Sequence, residues 1–181
     1  MRSPKHNPAR ATRRPTLRFV AWAGVWMAIF YAVTALPWFE RRVWAPYLTW
    51  NASATAAVLR LVDVPAQAQG RLVSGPGAAL SVERGCDAIH PSLLLVAFML
   101  ATPASWRTKL LGVAGGVAVL GGTNLLRIVT LYFVQRDWPT AFELMHIEVW
   151  QAVFIFLALL LWIAWALWAV RPPAEPTRAP A

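Results

Sequence analysis

The sequence predicts an all-α polytopic membrane protein of about four transmembrane helices, with a small segment lying on its outer surface, and three observations carry that expectation. The chain of 181 residues is 58% hydrophobic and holds 11 Trp, a composition too apolar for a soluble domain of this size and natural for one that faces lipid. Its apolar residues fall into runs close to the roughly 20 residues that a hydrocarbon core of about 30 Å requires. Its positive charges stand in short segments beside those runs, where they act as topology signals. A formal charge of +9 would point a soluble protein toward nucleic acid. Here no basic helix or aromatic-interleaved strand is left over for that purpose, so the expected partner is the lipid bilayer and not nucleic acid.

Residues 1–16 read as a basic cytoplasmic tail, residues 17–170 as a four-span transmembrane catalytic domain, and residues 171–181 as a second cytoplasmic tail. The first segment carries Arg2, Lys5, Arg10, Arg13 and Arg14 without an acid and is rich in proline, which favours a solvated chain. The first span covers about residues 17–36 and ends at Pro37 with Trp38 and Phe39 at the interface. The run is long and bears Trp, and Leu36-Pro37 makes a poor cleavage site, so it is expected to remain as an uncleaved helix.

Residues 37–86 form the outer segment, with a weakly amphipathic helix over Pro46 to Val62. Leu72 to Ser74 and Leu80 to Glu83 alternate around Gly75-Pro76-Gly77, which predicts a small hairpin that delivers the chain to Cys86. The second span covers about residues 87–102 and is just long enough to cross, with Pro91 in its first turn, where a missing donor costs little. Pro103 to Lys109 is an inner turn, residues 110–134 the third span, residues 135–142 an outer loop and residues 143–170 the fourth span. With both termini inside, the inner segments hold ten Lys and Arg against Glu175 alone, and the outer ones balance their charges, as the positive-inside bias requires. Gly112 and Gly116 form a GxxxG on the third span, a pattern that allows close helix packing within the bundle or the docking of a foreign helix.

Cys86 is the sole cysteine, so neither an intramolecular disulfide nor a cysteine metal cluster is expected. His6, His90 and His146 lack metal-ligand spacing, and the glycine-rich phosphate cradles are missing. No cofactor and no metal are expected. Cys86 stands at the start of the second span, where unpaired helix amides would favour the thiolate over a free thiol of pKa about 8.5. Arg127 lies near the outer end of the third span, with Thr123, Asn124 and Thr130 on its face. His146 opens the fourth span, with Glu143 and Trp150 on the same face. Taken one at a time, these residues also fit an inert filler, a snorkelling arginine and a solvated helix start. Together they fit a nucleophile, a fixed cation for a thiolate or oxyanion, and a general acid/base that Glu143 orients. His90 is a rival base.

Glu83-Arg84-Gly85-Cys86, Thr123-Asn124-Leu125-Leu126-Arg127 and Glu143-Leu144-Met145-His146 through Trp150-Gln151 resemble the Cys, Arg and His motifs of the exosortase and archaeosortase family. In size the chain is similar to the short exosortase H type. The resemblance implies a cysteine transpeptidase or protease of the cell inner membrane, with both termini cytoplasmic and its active site facing the periplasm. It implies partners that are membrane-anchored substrate proteins with a C-terminal sorting signal of short motif, transmembrane helix and basic cluster. It assigns Cys86 as nucleophile, Arg127 as stabiliser and His146 as acid/base. The chain departs from the family pattern at Asp87-Ala88, where many members carry a small residue and then Gly; the Asp87 charge opposes a thiolate. The reading from another class is a non-catalytic assembly or partner subunit that uses Arg127, Asn124 and His146 as an interhelical polar clamp.

Overall fold

The computed structural model describes the backbone of residues 8–170 and the side chains from Pro15 onward. The tails expected at residues 1–7 and 171–181 lie outside the described residues. The remainder of the basic tail is not an extended chain: helix α1 (Pro8–Thr34) begins within it. Pro8 at the first helical position presets its own φ, and the Ala and Arg that follow are strong helix formers.

After α1 the chain turns through α2 (Pro37–Phe39) and a π-helical turn (Glu40–Trp44) into α3 (Ala45–Leu61). Leu48, Asn51, Ala52, Thr55, Ala56 and Leu59 are the buried residues of α3, the three-and-four spacing of one helical face. The expected hairpin is present as β2 (Leu72–Gly75) and β3 (Ala78–Ser81), with Val73 opposite Leu80. A third strand, β1 (Gln67–Gln69), pairs antiparallel with β2, a pairing the hairpin expectation lacked. Gly70 at φ 59° and Gly77 at φ 80° close the two tight turns, conformations that cost glycine little.

The bundle proper consists of α1, α4 (Ile89–Ala101), α5 (Trp106–Asp137) and α6 (Trp150–Ala169), the last preceded by a 3-10 turn (Pro139–Ala141) and a π-helical turn (Leu144–Val149). Three segments are long and apolar enough to cross a membrane: Pro15–Thr34, Trp106–Asp137 and Pro139–Ala169. The expected second span is shorter than residues 87–102, because Ala88 adopts a left-handed φ of 54° and helix begins only at Ile89. Its 13 residues rise by about 20 Å, less than a hydrocarbon core of about 30 Å. The third span extends beyond residues 110–134 at both ends, started by Ser105, whose Oγ accepts from the Thr108 amide at 3.3 Å.

Gly112 lies directly under the Trp165 indole and Gly116 under Leu95. The GxxxG face is therefore used within the bundle, where α4 and α6 approach α5. At the bundle end nearest Lys109, the Nζ donates to Leu100 O at 2.8 Å and Trp162 Nε1 to Thr102 Oγ1 at 3.1 Å. The opposite end carries a second apolar core of α3, the sheet and the far part of α5, built from Leu48, Leu59, Val73, Val82, Ile128 and Tyr132. Tyr132 hooks the sheet onto α5: its hydroxyl donates to Pro76 O at 3.2 Å, and Gly75 leaves the space its ring occupies.

Candidate active site

The turn between β3 and α4 carries Cys86. Its amide donates to Glu83 O at 3.0 Å, Gly85 takes φ 93° and Ala88 φ 54°. A left-handed alanine is strained backbone and persists only where its surroundings hold it. They do so through Asp87, which is 1% exposed: Oδ1 accepts from the Ile89 amide at 2.9 Å, and Oδ2 accepts from Trp44 Nε1. The expectation that helix-end amides serve the thiolate is corrected here, since helix begins three residues after Cys86 and Asp87 takes its first amide. Burial pushes the Cys86 thiol above its ordinary range; Arg127 opposes that rise, and Asp87 adds to it.

Arg127 is buried on α5 beside Ile128 and Leu131. At 3% exposed it does not snorkel. Nη1 donates to Gly85 O at 2.9 Å and Nη2 to His146 O at 3.0 Å, while its Cζ stands 5.6 Å from the Phe154 ring centroid. One planar guanidinium thus joins the cysteine turn to the histidine turn, a geometry its rigid fork suits. Its Nε is buried without a partner.

His146 sits in the π-helical turn Leu144–Val149. Cys86 Sγ lies 3.5 Å from His146 Nε2 and 3.6 Å from Nδ1, within hydrogen-bonding reach for sulfur. The imidazole stacks on Phe142 at 5.5 Å. Glu143, expected to orient it, is exposed and forms no hydrogen bond to the ring. The structure therefore brings Cys86, Arg127 and His146 together, as the sequence expected, and seats the imidazole by stacking.

The other expected residues stand elsewhere. Asn124 Nδ2 donates to Asn51 Oδ1 at 3.1 Å, and Asn51 Nδ2 donates to Tyr47 O at 2.9 Å; this fully buried link ties α3 to α5 and does not touch the trio. Trp150 packs against Phe154 with centroids 6.2 Å apart, supporting the wall behind Arg127. His90 rests between Tyr31 and Trp44, at 5.8 and 5.7 Å, and lines a cavity of about 210 Å³ with Tyr31, Asp87, Arg127, Gln151 and Phe154. It forms no hydrogen bond with the thiol, whose ring partner is His146. Trp44, Asn51 and Phe142 were missed by sequence reasoning. Asn51 alone left a signal, as a polar residue on the apolar face of an amphipathic helix.

Among the described residues no group of three His, Cys, Asp or Glu could hold a metal ion. The arrangement is a thiol and an imidazole in contact, bridged by one buried cation, which is the equipment for proton transfer between sulfur and nitrogen. The model of the transmembrane exosortase family matches residues 16–173. No curated protein and no solved structure matches the chain. Because that match runs from the second residue of the first segment long and apolar enough to cross a membrane to beyond the last, and takes in Cys86, Arg127 and His146, this multi-pass membrane protein belongs to the transmembrane exosortase family.

Proposed function

We propose that this chain is a membrane-embedded cysteine transpeptidase or protease that cleaves the C-terminal sorting signals of exported proteins on the periplasmic side of the inner membrane. The observation that carries the proposal is the contact of Cys86 Sγ with His146 Nε2 at 3.5 Å, held by Arg127 through the carbonyls of Gly85 and His146. His146 accepts the thiol proton, the thiolate attacks the scissile carbonyl carbon, and the carbonyl electrons move onto oxygen. The buried guanidinium of Arg127 stabilises that charge; its Nε–H has no partner within the protein, and each Nη keeps a second N–H. Collapse breaks the carbon–nitrogen bond, and His146 returns the proton to the leaving amine. A water or an amine acceptor then attacks the thioester carbon as His146 takes its proton, the carbon–sulfur bond breaks, and the proton returns from His146 to the Cys86 sulfur.

The bilayer sets the substrate class. A thiol buried at one end of the bundle meets only a peptide bond held at that depth, which a transmembrane anchor in the substrate provides. In this reading residues 17–170 form the catalytic domain, with both termini in the cytoplasm and Asn124 and Trp150 supporting the site from a distance.

The test is the intact mass of a tail-anchored substrate from cells with wild-type protein and with Cys86→Ala. Loss of mass with wild type alone is expected, and an added mass would identify transfer. Processing by Cys86→Ala at the wild-type rate would remove the nucleophile. The buried Asn51–Asn124 pair and the bonds of Arg127 to two backbone carbonyls also favour a second reading, a non-catalytic partner subunit with an interhelical polar clamp. In that case Cys86→Ser is harmless and Arg127→Leu destabilises.

A further inference from the structure

Both flanks of Cys86 are held by one side chain that the chemistry above does not use. Trp44 is 4% exposed and donates to Asp87. On the other flank, Arg84 Cζ stands 5.2 Å from the centroid of the same indole and Arg84 Nη1 lies 3.3 Å from Glu40 Oε2. Trp44 and Glu40 are the two ends of the π-helical turn Glu40–Trp44, an irregularity frequent at functional positions. Phe39 packs on Trp44 edge to face with centroids 5.9 Å apart, so the indole is itself fixed. Asp87 carries a buried carboxylate one residue from the sulfur.

We propose that Asp87 is the positioning residue for Cys86: its carboxylate ties the Trp44 indole and the first amide of α4 to the cysteine turn and so fixes where the thiol stands. The proposal rests on Cys86 being the nucleophile. The charged and titratable groups that act on the sulfur are Arg127 from α5, His146 from the π-helical turn, Asp87 beside it and, from farther off, the exposed Glu83 that pairs with Arg71. Arg127 favours the thiolate; Asp87 and Glu83 oppose it. Removing the Asp87 charge leaves Arg127 less opposed, so the thiolate forms at lower pH. A residue that acted only as a structural tie would leave that pH dependence unmoved.

Cys86 is the sole cysteine, so iodoacetamide alkylation of the purified full chain, read by intact mass over a pH series, reports this sulfur alone. In wild type the midpoint lies above the free-cysteine value of about 8.5, because burial dominates. In Asp87→Asn the midpoint moves to lower pH, alkylation at neutral pH rises several-fold, and substrate processing falls at least tenfold. Trp44→Phe keeps the carboxylate and removes its indole donor; processing falls comparably without a downward shift of the midpoint. An Asp87→Asn midpoint at or above that of wild type, or wild-type processing by Asp87→Asn, overturns the proposal. Should Asp87→Asn fail to fold, wild-type processing by Trp44→Phe overturns it equally. Alkylation needs no substrate, so a failed nucleophile, shown by processing with Cys86→Ala, is distinguishable from a failed role for Asp87, shown by an unmoved midpoint.

Discussion

Arg127 shows how much of this site depends on one side chain's shape rather than on its charge. Its two Nη groups hold the carbonyls of Gly85 and His146, one on each of the segments that carry the thiol and the imidazole. A lysine would keep the positive charge, but its single ammonium cannot reproduce a planar fork spanning two segments. A hydrogen bond from a charged group contributes about 1.5–3 kcal/mol. Losing one of the two therefore lowers processing by roughly 10- to 100-fold in Arg127→Lys. The rate of substrate cleavage checks this, alongside a melting curve showing that the variant still folds; a rate within twofold of wild type would mean that the charge alone suffices. Cys86, Arg127 and His146 could be singled out from the sequence because, although each alone has a bland explanation, the three together stand at the ends of successive apolar runs and resemble one family's motifs. Phe142 and Trp44 could not be, since an aromatic near a membrane interface looks the same whether it packs against a buried polar cluster or faces lipid.

Elements differ in how they tolerate change, and α5 provides an internal comparison. A Cβ on Gly112 would run into the Trp165 indole, whereas one on Gly115 meets nothing within 4 Å. The indole cannot retreat easily, because its Nε1 donates to Thr108 O at 3.0 Å. Gly112→Ala should therefore destabilise the detergent-solubilised protein by about 1–3 kcal/mol, the usual cost of overpacking. Gly115→Ala should be neutral or slightly stabilising, since alanine is the better helix former. Thermal unfolding of the two variants side by side decides it; equal melting temperatures would show that α6 does not press on this face. The helical elements were read well because apolar periodicity and length mark them. The short β1 was missed because Gln67 and Gln69 give no alternating apolar signal, and β2 alone makes it a strand.

Across the whole molecule, the two ends of the bundle differ in construction. From Trp106 to Arg127 helix α5 rises by about 31 Å, one hydrocarbon thickness; from Asn124 onward it also carries α3 and the sheet. The cysteine turn before the short α4 meets α5 at that level, where Arg127 bonds Gly85 O at 2.9 Å, and its thiol-bearing residue is only 7% exposed. With the proposed orientation, single cysteines placed in a Cys86→Ala background should label from opposite sides. Leu61→Cys, at a site 84% exposed in the wild-type chain, should react with a membrane-impermeant maleimide from the periplasmic side. Pro103→Cys, between α4 and α5, should react only after the membrane is opened. Labelling of both from one side would mean that α4 does not cross.

By itself the sequence determined that the chain is a helical membrane protein, and it singled out the three side chains that the structure brings together. Those properties depend on composition and on local spacing, which a linear chain displays directly. Only the tertiary structure decided that His146 and not His90 meets the thiol, that Arg127 joins two turns instead of reaching for water, and that Asp87 caps α4 while gripping Trp44. Apart from the local cap from Asp87 to Ile89, each of these is a contact between residues far apart in the chain, which local spacing does not display.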